Sequence, residues 1–399
     1  MKKSQISSGY FFKTTALFHP LIGIFLFFLI ITIIFYLTFV GPGKYFSELL
    51  YHFFAISAKL LKNIFLQIGI SPLLVRFLIN GIFLGVCSVV AFLPQTAILF
   101  FCFAVLEDSG YLAHIAMRLH YVMRPFGLSG KAITPLLMGF GCSVPAVIAA
   151  SKLEKEEQYH VIHILHFLPC NARLPTLLFL ISSFFERFRI LILLAFSLCL
   201  ISVSFLGLFF HNKINKYTPF LAYTPPIYRI PRAKQIFKET FRQLSDFLIR
   251  AFTLVFLSCV ILHLFGILTP SFQITEHPSE SILVLFGNAL APFFSFCALD
   301  DGRIIAALAM GFFAKESIIS TICFLIPEGL SSVCSLPSAI ALIVFSMTYI
   351  PCISTLCAIR HTIGIKKTMR LIAFSLMRSF AFAFILYNLM HLFFHFCSF

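Results

Sequence analysis

The chain has 399 residues, 60% of them hydrophobic and only 11% charged, with a formal net charge of +15. Its mean hydropathy of +0.98 and sparse charge exclude an ordinary soluble domain, for which roughly 45–50% apolar and about 25% charged residues are the norm. The Lys and Arg surplus is accounted for by cytosolic loops meeting anionic headgroups, and no nucleic-acid partner is called for.

Several apolar runs reach the roughly 20 residues that cross a bilayer, among them Leu21 to Val40, Ile190 to Phe210 and Phe247 to Leu268. They lack the alternation of a barrel strand, and backbone groups in lipid must pair internally, so helices are expected. The fold class is therefore an all-α polytopic membrane protein, with about 8–10 transmembrane helices expected from the runs.

The N-terminal residues 1–16 read as a cytoplasmic tail. Leu21 to Val40 is too long for a signal-peptide core, and Gly41, Pro42 and Gly43 follow it as a turn, so it reads as the first spanning helix. Lys44 to Ile70 carries apolar residues at helical spacing and is expected to lie along the external interface. Together these make a unit over 17–75. Phe77 to Leu106 is interrupted by Pro94, which either kinks one helix or separates two, and ends in LEDSGYLA.

Within residues 76–210 the motif GFGCSVPA (Gly139 to Ala146) leads to PCNARLP (Pro169 to Pro175). A basic linker at 211–246 follows, with a Pro-rich stretch Tyr217 to Pro231. Within residues 247–399, GFFAKES (Gly311 to Ser317) leads to PCISTLCAIR (Pro351 to Arg360). Paired helix interruptions in corresponding places of two apolar halves point to a transport site near the membrane midplane. Residues 211–250 carry eight Lys and Arg, whereas the loops 270–281 and 327–338 carry none. The first region is expected to be cytoplasmic and the other two external, with a cytoplasmic N-terminus.

Glycine tolerates a break and proline removes a backbone donor, which leaves half-helix ends and carbonyls free to face an ion. Gly139, Gly141 and Pro145 are thus gating candidates. Cys142, Cys170 and Cys352 sit at the breaks, where they either pack as small hydrophobes or ligate a soft or borderline metal as thiolates. Lys315 and Glu316 are ionisable residues in apolar surroundings and so functional candidates, unless they mark a helix end at the membrane surface. Glu107 is a further acidic candidate; with Asp108 it equally suits loop hydrogen bonding. His160, His163 and His166 share one helical face just ahead of Cys170, and His163 and His166 are relay candidates. The cysteines form no CxxC pair, and a disulfide framework is not expected. Zinc-hydrolase, GxSxG and GxxxxGK[ST] motifs are absent, so no catalytic residue is assigned.

At these motifs the chain resembles the membrane domain of the bacterial ferrous iron transport protein B family, FeoB. The likeness runs from HPLIG (His19 to Gly23) through FLPQTAILF, LEDSGYLA, GFGCSVPA, PCNARLP, TPF, PPIYRIP and GFFAKE to YIPC and AIR. The resemblance implies two Gate-type broken-helix repeats and Fe²⁺ uptake across a bacterial inner membrane. Cys142, Cys170 and Cys352 would then be Gate cysteines with Glu316 as acidic neighbour. Fe²⁺ is cargo, and no permanently bound cofactor is expected. Members normally carry a GTP-binding domain ahead of the first membrane helix, so a separate cytosolic GTPase subunit, a small FeoA-like protein and homo-oligomers are expected partners besides lipid. The family's acidic residue before the Pro-Pro-Tyr linker is replaced here by Tyr223 and Thr224, which leaves linker contacts unassigned. Other readings are a Gate-fold permease for another divalent metal or a nucleoside, and a membrane anchor for a detached GTPase.

Overall fold

A computed structural model describes residues 20–71, 91–124, 128–168, 170, 172–184, 229–270, 280–315 and 317–397, with scattered positions between 74 and 90. The expected span Ile190 to Phe210, nearly all of the Pro-rich linker, and Glu316 lie outside the described residues. Every regular element among the described residues is helical.

Helix α1 (Pro20–Phe39) and α2 (Pro42–Gln67) open the fold. Together they make an apolar stretch, Phe25–Gln67, interrupted only by the turn at Val40 and Gly41. Pro94 lies in the first turn of α3 (Leu93–Asp108). Proline is tolerated there because the first N–H groups of a helix have no intrahelical partner, so the residue starts a helix instead of kinking one. The chain then bends by 78° into α4 (Tyr111–Met123). Gly110 makes the bend at φ +77°, a conformation that costs glycine nothing.

The next helices are short: α5 (Ile133–Gly141), α6 (Ser143–Ala150), α7 (Lys155–Leu165) and α8 (Arg173–Phe184). After the linker come α9 (Ala233–Ile267), α10 (Ile282–Leu290), α11 (Gly302–Phe313), α12 (Ser317–Leu325), α13 (Leu336–Thr348), α14 (Ile353–Ile363) and α15 (Ile365–Cys397). Among the described residues two stretches are long and apolar enough to cross a membrane, or up to four if each bent pair counts as one. The breaks shorten several of these helices below what the bilayer requires, and the expected span Ile190 to Phe210 lies outside the described residues.

Two hydrophobic cores organise these elements. The first gathers α1, α3, α4, α5, α6 and α7, and it also holds Leu356, Ala358 and Ile359 of α14. The second gathers α10, α11, α12 and α13, and it also holds Leu177, Leu180 and Ile181 of α8. The chain therefore crosses between cores at each Pro-Cys pair: α7 lies in the first and α8 in the second, α13 in the second and α14 in the first. Ile350, just before the second pair, packs against both.

Candidate functional site: two helix breaks and a shared cavity

The first break has a local cause. Pro145 has no N–H to offer the Gly141 carbonyl four residues back, and its ring would clash with that carbonyl. Helix α5 ends at Gly141; Cys142 is extended at φ −149°, ψ 129°, and α6 begins at Ser143. The Cys142 N–H donates to the Met138 carbonyl at 2.9 Å and closes the last turn.

Ala314 ends α11 in nearly the same conformation, φ −145° and ψ 130°, with its N–H donating to the Met310 carbonyl. The sequences leading in are parallel, Met138-Gly139-Phe140 and Met310-Gly311-Phe312. One backbone shape thus carries a thiol in the first half and a Lys315 side chain one residue later in the second.

Neither glycine of the first motif adopts a positive φ. Both sit inside α5, where a Cβ on Gly139 would press on Leu165 and Leu168, and one on Gly141 would overlap Leu99. Their role in this conformation is close helix packing, and the break itself falls on a residue whose φ and ψ suit any side chain.

At the Pro-Cys pairs the cysteine carbonyls start the following helices. The Cys170 carbonyl accepts from Arg173 N at 2.9 Å and Leu174 N at 3.3 Å, and the Cys352 carbonyl accepts from Leu356 N at 3.1 Å. The Cys352 thiol lies 3.2 Å from the Thr355 hydroxyl.

Between the cores lies Lys315, only 3% exposed. Its ammonium donates to the Ile350 carbonyl at 2.7 Å and sits 3.3 Å above the Tyr349 ring centroid. The thiols of Cys170 and Cys352 are within its electrostatic reach. Thr176 of α8 donates to the Lys315 carbonyl at 3.3 Å, which ties the second break to the helix that follows the first Pro-Cys pair.

Cys142, Cys170, Lys315 and Cys352 line one cavity of about 540 Å³. Its lining also includes Glu107, Lys152, Glu239 and Arg242, of which Glu107 and Lys152 are exposed and paired at 3.3 Å. An exposed pair of this kind contributes about 0–1 kcal/mol, and it occupies Glu107 at the rim. Among the described residues no three His, Cys, Asp or Glu side chains converge as a metal shell. The three thiols share a cavity; they do not share a coordination sphere in this conformation.

The histidines take a different place. His163 packs its ring against Tyr159 and Phe374, and His166 Nε2 lies 3.1 Å from the Thr348 carbonyl of α13. Neither ring lines the cavity. Buried Arg173 donates to the His166 carbonyl at 2.7 Å, so this cluster ties the two Pro-Cys approaches together.

Four partners were missed by sequence reasoning: Arg173, Thr176, Tyr349 and Thr355. Arg173 and Tyr349 lie inside the PCNARLP and YIPC motifs, so the signal was present, but neither residue looks like a metal ligand. Asp108 was weighed with Glu107 and proves to be the buried one of the pair. It accepts from Arg232 N at 2.8 Å and from the Arg229 guanidinium, the loop hydrogen bonding that its sequence neighbourhood allowed.

An all-α, apolar chain with two helix breaks beside one cavity defines a class, all-α polytopic membrane proteins. A family model described as Gate, nucleoside recognition, matches residues 89–211 and 248–366, and the chain belongs to the Gate family. Among curated relatives it is similar to the Fe(2+) transporter FeoB of Staphylococcus aureus (strain COL), 33% identical over 390 residues, covering 94% of this chain and 58% of the relative. The Fe(2+) transporter FeoB of Methanocaldococcus jannaschii is 32% identical over 361 residues, covering 86% and 53%. That of Helicobacter pylori is 28% identical over 422 residues, covering 92% and 64%. The chain thus spans little more than half the length of the first two of these relatives. No solved structure matches it. The resemblance read from the motifs is borne out by these matches.

Proposed function

We propose that the chain is a ferrous iron permease of a bacterial inner membrane, passing Fe²⁺ along the seam between the two cores. One observation carries this reading: both Pro-Cys pairs lie where the chain crosses between cores, and their thiols open on one cavity with Cys142. Fe²⁺ would exchange water for thiolate sulfur and backbone carbonyl oxygen at the breaks, with Glu316 as acidic neighbour. The lack of a converged shell among the described residues suits a conduit, because an ion held by many ligands at once leaves slowly. Fe²⁺ stands low in affinity order among divalent metals, so selection rests on geometry and supply.

In this reading the charged rim faces the cytosol, since Lys152 and the basic start of α9 belong there by the positive-inside rule. Nucleotide-driven gating, where it operates, is contributed by a cytosolic GTPase, with a FeoA-like protein and self-association as further partners. The test is radioactive iron uptake by cells expressing the chain against cells expressing Cys142→Ser and Cys352→Ser variants. Uptake that falls in the variants supports the thiol pathway, and wild-type rates in both would sink it.

A second reading has its own support. The matching family model is described by nucleoside recognition, and about 540 Å³ is within the range of small-molecule pockets, roughly 300–1,000 Å³. Inhibition of iron uptake by excess uridine or adenosine would favour that cargo.

A further inference from the structure

We infer that the Lys315 ammonium is a tethered cation seated where the travelling metal ion must pass, so that ammonium and ion exclude one another. The inference rests on the permease reading and adds a device to it. Among the described residues no carboxylate pairs with Lys315, although it is 3% exposed. Its neighbours are the Ile350 carbonyl at 2.7 Å and the Tyr349 ring face at 3.3 Å, and it lines one cavity with Cys170 and Cys352. Carbonyl oxygen and a ring face hold an ammonium, and carbonyl oxygen with thiolate sulfur holds a borderline metal ion.

The seat is fixed without the lysine. Tyr349 donates its hydroxyl to the Leu308 carbonyl at 3.1 Å and stacks on Phe345, and Ile350 is packed against both cores. The occupant is the movable part, a point charge on a flexible four-carbon stem. Arg173 of α8 acts on the same seat, so a divalent ion arriving beside a seated ammonium meets two cations, Lys315 and Arg173. Withdrawal of Lys315 toward the cavity removes one of them and frees the Ile350 carbonyl and the Tyr349 ring face in the cavity that the Cys170 and Cys352 thiols line. In the absence of metal the seated ammonium keeps the seam closed to other cations.

The test uses the purified full chain and Co²⁺ alone as probe, read by thiolate-to-cobalt absorption. Lys315→Met should bind Co²⁺ at least about tenfold tighter than wild type, a difference of about 1.4 kcal/mol, and Lys315→Arg no tighter than wild type. Equal or weaker binding by Lys315→Met overturns the inference, and Lys315→Gln replaces it if the methionine variant does not fold. On the wild-type chain, Co²⁺ should raise acylation of Lys315 by a water-soluble ester, mapped by peptide mass. Unchanged labelling means no displacement and overturns it, whatever the variants show. Fe²⁺ flux by wild-type vesicles is measured beside these. No flux with tightened Co²⁺ binding counts against the permease and spares the seat, and flux without tightening does the reverse.

Discussion

At Cys352 a thiol, the Thr355 hydroxyl and the start of α14 meet. The residue is the N-cap of α14, as Cys142 is of α6. Serine is among the best N-cap residues, so Cys352→Ser and Cys142→Ser retain or improve the helix start while removing the soft ligand. Their melting temperatures should match the wild type, with iron uptake reduced roughly tenfold or more, the scale of losing a metal-site partner. A fall in uptake that tracks a fall in melting temperature would make the thiols packing residues. Asp108 acts on a different link. It holds Arg229 and the Arg232 N–H and so pins the end of the linker to the α3–α4 bend. Asp108→Ala should speed trypsin cleavage at Arg229 and Arg232 in otherwise folded protein; unchanged cleavage would deny the residue that role.

Helix contacts depend on small residues, since lipid supplies little hydrophobic force between helices and close approach must replace it. A Cβ on Gly287 of α10 would overlap the Gly302 carbonyl at the start of α11. Gly287→Ala should destabilise by about 1–3 kcal/mol, the cost of overpacking, seen as a lower melting temperature in detergent. A neutral result would show that α10 and α11 can part there. Gly311→Ala should report on the site as well, because its Cβ would overlap the Tyr349 hydroxyl and Ile318. It should disturb the ring that seats Lys315, shifting metal binding along with stability. Much at this scale was legible in the sequence. Pro145 marks the first break, Pro351 the second Pro-Cys pair, and the Met-Gly-Phe echo marks Ala314 as the counterpart of Cys142. What the sequence concealed was the purpose of the glycines, because a glycine that permits close packing and one that permits a turn look alike without the neighbouring helix.

For the whole molecule, the exchange of α8 and α14 between cores is the feature that turns two local motifs into one site. Composition showed an all-α membrane protein, and the paired motifs pointed to two units. Neither discloses that each unit sends the helix after its Pro-Cys pair into the opposite core, since apolar faces on α8 and α14 suit either partner. The same ambiguity hid the seat of Lys315: the sequence made the residue a functional candidate in apolar surroundings, but only the fold brings Tyr349 and Ile350 beside it, Ile350 from 35 residues away. Entry of Fe²⁺ into vesicles holding only this chain, followed by quenching of an enclosed chelating dye, tests the seam as an ion path most directly. Quenching faster than in protein-free vesicles, and lost in Cys352→Ser, is the predicted result. A wild-type rate equal to protein-free vesicles, or a Cys352→Ser rate equal to wild type, would contradict it.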